Sequence, residues 1–239
     1  MKNNKNLIII TIISIALIAI IVAFIAITNK KKNPNNDKTV PVAEVETELI
    51  LSESEKPIIS LIPRADGYEL KLIIDNIPAN ISEIEYELIY SAIDDGLEME
   101  KGVGDTIKVT SNKIERDLLL GTSSCTNGCK YKYDKGVVGG TLSLTFLTAT
   151  NQYLRYESTF VLKTSADIKK DGGLSLTLED FEITATTTSK SDYFVLIKNL
   201  PSYYSVFSNG NGKGTITNIT PANISKEDKT NLTGNYLIN

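Results

Sequence analysis

Cys125 and Cys129 are the only two cysteines in this 239-residue chain. They sit in the run Cys125-Thr126-Asn127-Gly128-Cys129. Asn and Gly permit a tight turn between them, and such a turn brings the two sulfurs together. A local structural disulfide clamping a hairpin tip is the expected chemistry. A pair of free thiols, a redox couple or half a metal site are the alternatives. The spacing is not Cys-x-x-Cys, and the chain has no histidine and no third cysteine with which to complete a zinc shell.

The other chemistry-bearing clusters are weaker. Asp94-Asp95-Gly96 with Glu98 and Glu100 offers oxygen ligands of the kind calcium takes, but in an order that matches no calcium loop, so a solvated acidic turn is expected. The stretch from Ser208 to Thr215 is rich in Asn and Gly and superficially suggests a phosphate cradle. Its lysine, Lys213, is followed by Gly214 rather than Ser or Thr, and no helical pattern follows; a hairpin is expected there. Asn80, Asn218, Asn223 and Asn231 begin Asn-x-Ser/Thr triplets, which matter only in a host that glycosylates its surface proteins. Neither Ser-x-x-Lys nor Gly-x-Ser-x-Gly occurs, and the absence of histidine removes the commonest general base. No enzyme and no cofactor is expected.

Charge separates two regions. Lys2, Lys5, Lys30, Lys31 and Lys32 are unopposed in residues 1–32, and the remaining chain holds 20 basic and 29 acidic residues, a net of −9. Such an acidic body argues against a nucleic-acid partner, because phosphate binding needs clustered cations.

The elements that carry these residues begin with an uncharged, isoleucine-rich run over residues 7–28. As a helix it spans about 33 Å, enough for a bilayer core and too long for a cleaved signal. An uncleaved signal anchor is expected. Residues 1–6 then lie in the cytoplasm, and the body of the chain lies outside the cell membrane, the compartment that suits a cysteine pair. Residues 29–56, with Asn33-Pro34-Asn35-Asn36 and then Glu44, Glu46, Glu48, Glu53 and Glu55, read as an extended stalk. Some alternation within 40–51 leaves room for a strand.

From residue 57 the period is two. Tyr68, Leu70, Leu72 and Ile74 alternate with Glu69, Lys71 and Asp75; Ile84, Tyr86, Leu88 and Tyr90 alternate with Glu83, Glu85 and Glu87. This is the pattern of half-buried antiparallel strands. Further strands are expected at 106–110, 113–120, 141–148 and 153–163, and no sustained helical period occurs after residue 30. A break at 165–173 separates a first β unit, 57–165, from a second and smaller one, 174–239. The second has strands at 174–178, 181–186, 193–200, 203–207, 215–220 and 232–238. Two strands end alike, in Asn76-Ile77-Pro78 and Asn199-Leu200-Pro201, where proline cannot continue a ladder.

The pair of alternating strands over 68–90, joined by a proline turn, resembles strands B and C of fibronectin type III and other immunoglobulin-like sandwiches. The stretch from Gly214 through Asp228 to Gly234-Asn235-Tyr236 resembles the E-to-F region of those domains. That resemblance implies a corner tyrosine at Tyr236, an all-β antiparallel sandwich, and a binding, spacer or adhesion role.

The functional expectation is a membrane-anchored cell-surface module that contacts an unknown protein or glycan. The alternative is an accessory subunit of an envelope secretion or pilus-type assembly.

Overall fold

The computed structural model describes residues 47–187, 191–200 and 203–238. The 7–28 run and the first part of the stalk lie outside the described residues. Among the described residues no helix is long and apolar enough to cross a membrane.

Among the described residues the strands pair antiparallel, apart from one short parallel pairing. In the first part, β2 (Ile58–Pro63), β3 (Glu69–Asp75) and β6 (Ile114–Leu119) form a three-stranded sheet in the order β2-β3-β6. Facing it are β4 (Ile81–Asp94), β5 (Leu97–Lys108), β9 (Gly139–Thr148) and β10 (Gln152–Thr164), in the order β5-β4-β9-β10. A short hairpin, β7 (Gly121–Ser124) and β8 (Lys130–Tyr133), projects between β6 and β9. The residues the sequence marks as apolar point between these two sheets: Ile59, Leu61, Leu70, Leu72, Ile74, Ile84, Leu88, Leu142 and Phe146 are fully or almost fully buried together. Each such side chain contributes about 1.5–3 kcal/mol of burial.

The four-stranded sheet does not stop at β10. That strand's far edge pairs with β13 (Tyr193–Asn199), and the sheet continues through β14 (Tyr203–Ser208) and β17 (Gly234–Ile238) to the two-residue β16 (Ile224–Ser225). Two-residue β1 (Thr47–Glu48) adds in parallel to the start of β10, and the Leu49 N–H reaches the Tyr153 carbonyl at 2.6 Å. Thus residues 47–49 of the expected stalk lie on the sheet, and Leu49 is buried in the core. A third sheet, β11 (Leu174–Leu178), β12 (Phe181–Thr187) and β15 (Gly214–Thr220), packs against the extended part.

Strand β13 explains how both cores are built. Its run Phe194-Val195-Leu196-Ile197 is fully buried. Val195 and Ile197 enter the first core, whereas Phe194 and Leu196 enter the second with Leu176, Phe181, Ile183, Tyr204 and Tyr236. Successive side chains of a strand point to opposite faces, so one strand feeds two layers. A continuous apolar run is the signature of a strand covered on both sides.

Three local features differ from the sequence expectations. Residues 165–173 contain a six-residue helix, α1 (Ser165–Lys170). Thr164 caps it by accepting from the Asp167 N–H at 3.1 Å, while Asp167 accepts from the Thr164 N–H, and Ile168 is buried in the second core. Strand β5 begins nine residues earlier than expected. The Asn/Gly run after Ser208 is not a hairpin. It carries the chain from β14 in the central sheet to β15 in the outer one; Gly212 sits at φ +61° and its carbonyl accepts from the Leu232 N–H.

Candidate functional site

The β7–β8 hairpin is the part of the described chain whose side chains are least used by the cores. Every residue from Thr122 to Lys132 is exposed. Ser124 pairs with Lys130 and Gly121 with Tyr133. Cys125 and Cys129 close the tip as a disulfide pair with their Cα atoms 4.0 Å apart. Gly128, at φ +83°, supplies the left-handed residue that a turn this tight requires.

The base of the hairpin is held by a buried polar cluster. Asp134 is almost wholly buried. It accepts from the Tyr90 hydroxyl at 2.8 Å and from the Lys101 ammonium at 2.5 Å. Lys101 also lies 3.5 Å from Asp94, and Lys132 of β8 lies 3.4 Å from the same carboxylate. Burial, then the Asp134 hydrogen bond, pushes the Tyr90 phenol well above its ordinary range, so it stays a donor. Lys132, then Lys101, holds the Asp94 carboxyl below its usual value. The backbone is tied as well: the Asp134 N–H donates to the Leu120 carbonyl, and the Leu120 N–H to that of Tyr68.

Aromatic stacking continues this base outward. The Tyr133 ring lies on Tyr68 at 4.4 Å and 11°, and Tyr131 lies parallel to Tyr133 at 6.0 Å. Tyr131 is 51% exposed. Arg64, which precedes the Tyr68 turn, is gripped by Asp66 and Glu69. One face of the hairpin therefore presents Tyr131, Tyr133 and Ser123, and the other Lys130, Lys132, Thr122 and Ser124.

This arrangement lies at an exposed edge of the described chain. It holds a rigid aromatic edge, two ammonium groups, hydroxyls and the Asn127 amide, which together suit stacking and hydrogen bonding to a partner. Three lysines and one aspartate lie within 121–138, a basic projection on an acidic body.

The structure brings the two marked cysteines together at the tip. It turns the marked Asp94 towards lysines, with Asp95 (φ +50°) and Gly96 (φ +80°) forming the β4–β5 turn. Among the described residues no three acidic or cysteine side chains converge as metal ligands. Sequence reasoning set Tyr68 on the apolar face of a strand, whereas it is 36% exposed under Tyr133, and it did not single out Tyr131, Tyr133 or Asp134. The signal for them was the strict Lys130-Tyr131-Lys132-Tyr133 alternation directly after Cys129.

Tyr236, marked as the corner tyrosine by resemblance, is buried on β17, and its hydroxyl donates at 2.7 Å to the carbonyl of Leu232, four residues upstream. Comparison of the chain with models of protein families, with curated proteins and with solved structures finds no match in any of the three.

Proposed function

We propose that the protein is a single-pass, membrane-anchored binding module of the cell surface, and that the disulfide-tipped β7–β8 hairpin is its contact surface. The half-exposed Tyr131 ring, stacked on a buttressed Tyr133–Tyr68 pair, carries this reading. An ordered aromatic side chain loses little conformational freedom on contact, so it is an efficient anchor for a protein or glycan. The uncharged 7–28 run supplies the membrane attachment in this reading, with the body outside the cytoplasm.

The fold assigned to 57–165 is an immunoglobulin-like sandwich of the fibronectin type III kind. Strand order supports it: β2-β3-β6 against β5-β4-β9-β10 repeats, in chain order, strands A-B-E against C′-C-F-G. The hairpin then occupies the connection between strands E and F. The later strands depart from that order. β17 pairs with β14 because the far edge of β13 is occupied by β10.

The test is capture of surface polysaccharides and surface proteins by the full-length chain in detergent, comparing the native chain with Tyr131→Ser and with Lys130→Glu/Lys132→Glu. The expected result is a retained partner whose affinity falls by about tenfold or more in each variant, the range for a central aromatic anchor. A partner bound equally by all three proteins would remove the hairpin from the proposal.

A further inference from the structure

We propose that the chain forms a two-fold symmetric dimer by pairing β5 with β5 of a second copy, antiparallel and centred on Val103. Strand β5 ends the central sheet. It pairs with β4 over Leu97 to Lys108, and among the described residues nothing pairs with its outer edge. Twelve residues of unpaired edge is long for a sheet protein, where strands average about five or six residues and edges are usually short or blunted. Such an edge is a template for another strand.

The sequence of β5 selects both partner and register. Paired residues share a face, so a two-fold axis must pass through a residue. With the axis at Val103, Glu98 meets Lys108, Lys101 meets Asp105, Met99 meets Ile107, Leu97 meets Val109, and Gly102 meets Gly104. Glu100 meets Thr106, and symmetry makes each pair occur twice. The adjacent registers fail. An axis at Gly102 sets Met99 against Asp105 and Lys101 against Val103. An axis at Gly104 sets Lys101 against Ile107 and Val103 against Asp105. Self-complementarity of charge and hydrophobicity about one residue points to a second copy of this chain rather than a foreign strand. The inference stands apart from the hairpin reading, because no residue of β7 or β8 enters it.

Lys101 already serves Asp134 and Asp94, so Glu98 and Lys108 are the pair to exchange. Sedimentation equilibrium of the full-length chain in density-matched detergent compares four proteins: native, Glu98→Lys, Lys108→Glu and the double exchange. The expected result is a native dimer, a loss of at least about fivefold in dimer affinity in each single variant, and recovery to near the native value in the double one. A native chain that stays monomeric would overturn the proposal. So would a dimer indifferent to the single changes, which would place association elsewhere, or single-variant losses that the double exchange does not recover.

Discussion

The side-chain amide of Asn199 exchanges two hydrogen bonds with the backbone of Ile59: the Ile59 N–H donates to Oδ1 at 3.0 Å, and Nδ2 donates to the Ile59 carbonyl at 2.8 Å. Asn199 ends β13 in the central sheet, and Ile59 lies on β2 in the sheet facing it. The amide therefore acts as one extra strand residue for β2, and both residues are essentially buried. Nδ2 also donates to Ser205 Oγ, which donates on to Asn235 Oδ1. Asn199→Ala leaves a buried N–H and a buried carbonyl without partners. The expected loss is about 2–4 kcal/mol of unfolding free energy, at unchanged denaturant slope. Urea titration checks it; a loss under about 1 kcal/mol would show that water replaces the amide.

The two Asn-x-Pro strand endings were legible in the sequence only as terminators. The structure shows that both asparagines also hold the chain that enters β2. Asn76, at φ +56°, donates through Nδ2 to the carbonyls of Ser54 and Lys56, as Asn199 does to Ile59. Strands with clean alternation, such as β3, β4 and β12, were readable to within a few residues, because one face is buried and one is wet. The first nine residues of β5 were not, because Lys101, Gly102, Gly104 and Asp105 interrupt the apolar period. Of the hairpin only the cysteine-closed tip was legible; β7 and β8 were not, because Thr122 to Lys132 is exposed on both faces and burial leaves no pattern there. Residue types also gave no sign that Asp134 is buried, since its burial depends on Tyr90 and Lys101, 44 and 33 positions away.

Asp134→Ala tests the base of the hairpin. It leaves the Lys101 ammonium and the Tyr90 hydroxyl without their buried acceptor. Lys101 retains access to solvent and to Asp94, so the cost falls near or below the lower end for a broken buried pair, about 2–3 kcal/mol. Amide exchange should accelerate most from Gly121 to Tyr133. Uniform acceleration over β4 and β9 instead would mean that Asp134 supports the whole sandwich rather than the hairpin.

Opening the disulfide should matter locally. The loop between Cys125 and Cys129 is so short that the chain-entropy effect of the crosslink is about 2 kcal/mol at most. Cys125→Ala/Cys129→Ala should therefore shift the global urea midpoint little and leave the Tyr133–Tyr68 stack in place, while proteolysis at the tip becomes faster. A global loss of several kcal/mol would mean that the tip organises β7 and β8 before the base does.

Acid should release the hairpin through Asp94. Its carboxyl lies 3.4 Å from the Lys132 ammonium and 3.5 Å from that of Lys101, and these, Lys132 foremost, lower its folded pKa below the unperturbed 3.8. A carboxyl with a depressed folded pKa contributes stability that is complete above the unfolded value and disappears as pH falls through the folded one. Asp94→Asn cannot titrate and makes neither ion pair. The difference in hairpin amide protection between native and variant should accordingly be constant above about pH 5, narrow below pH 3.8, and vanish once Asp94 is protonated in the folded chain. A difference that persists unchanged into acid would show that the Asp94 side chain holds the hairpin by shape and hydrogen bonding, with its charge playing no part.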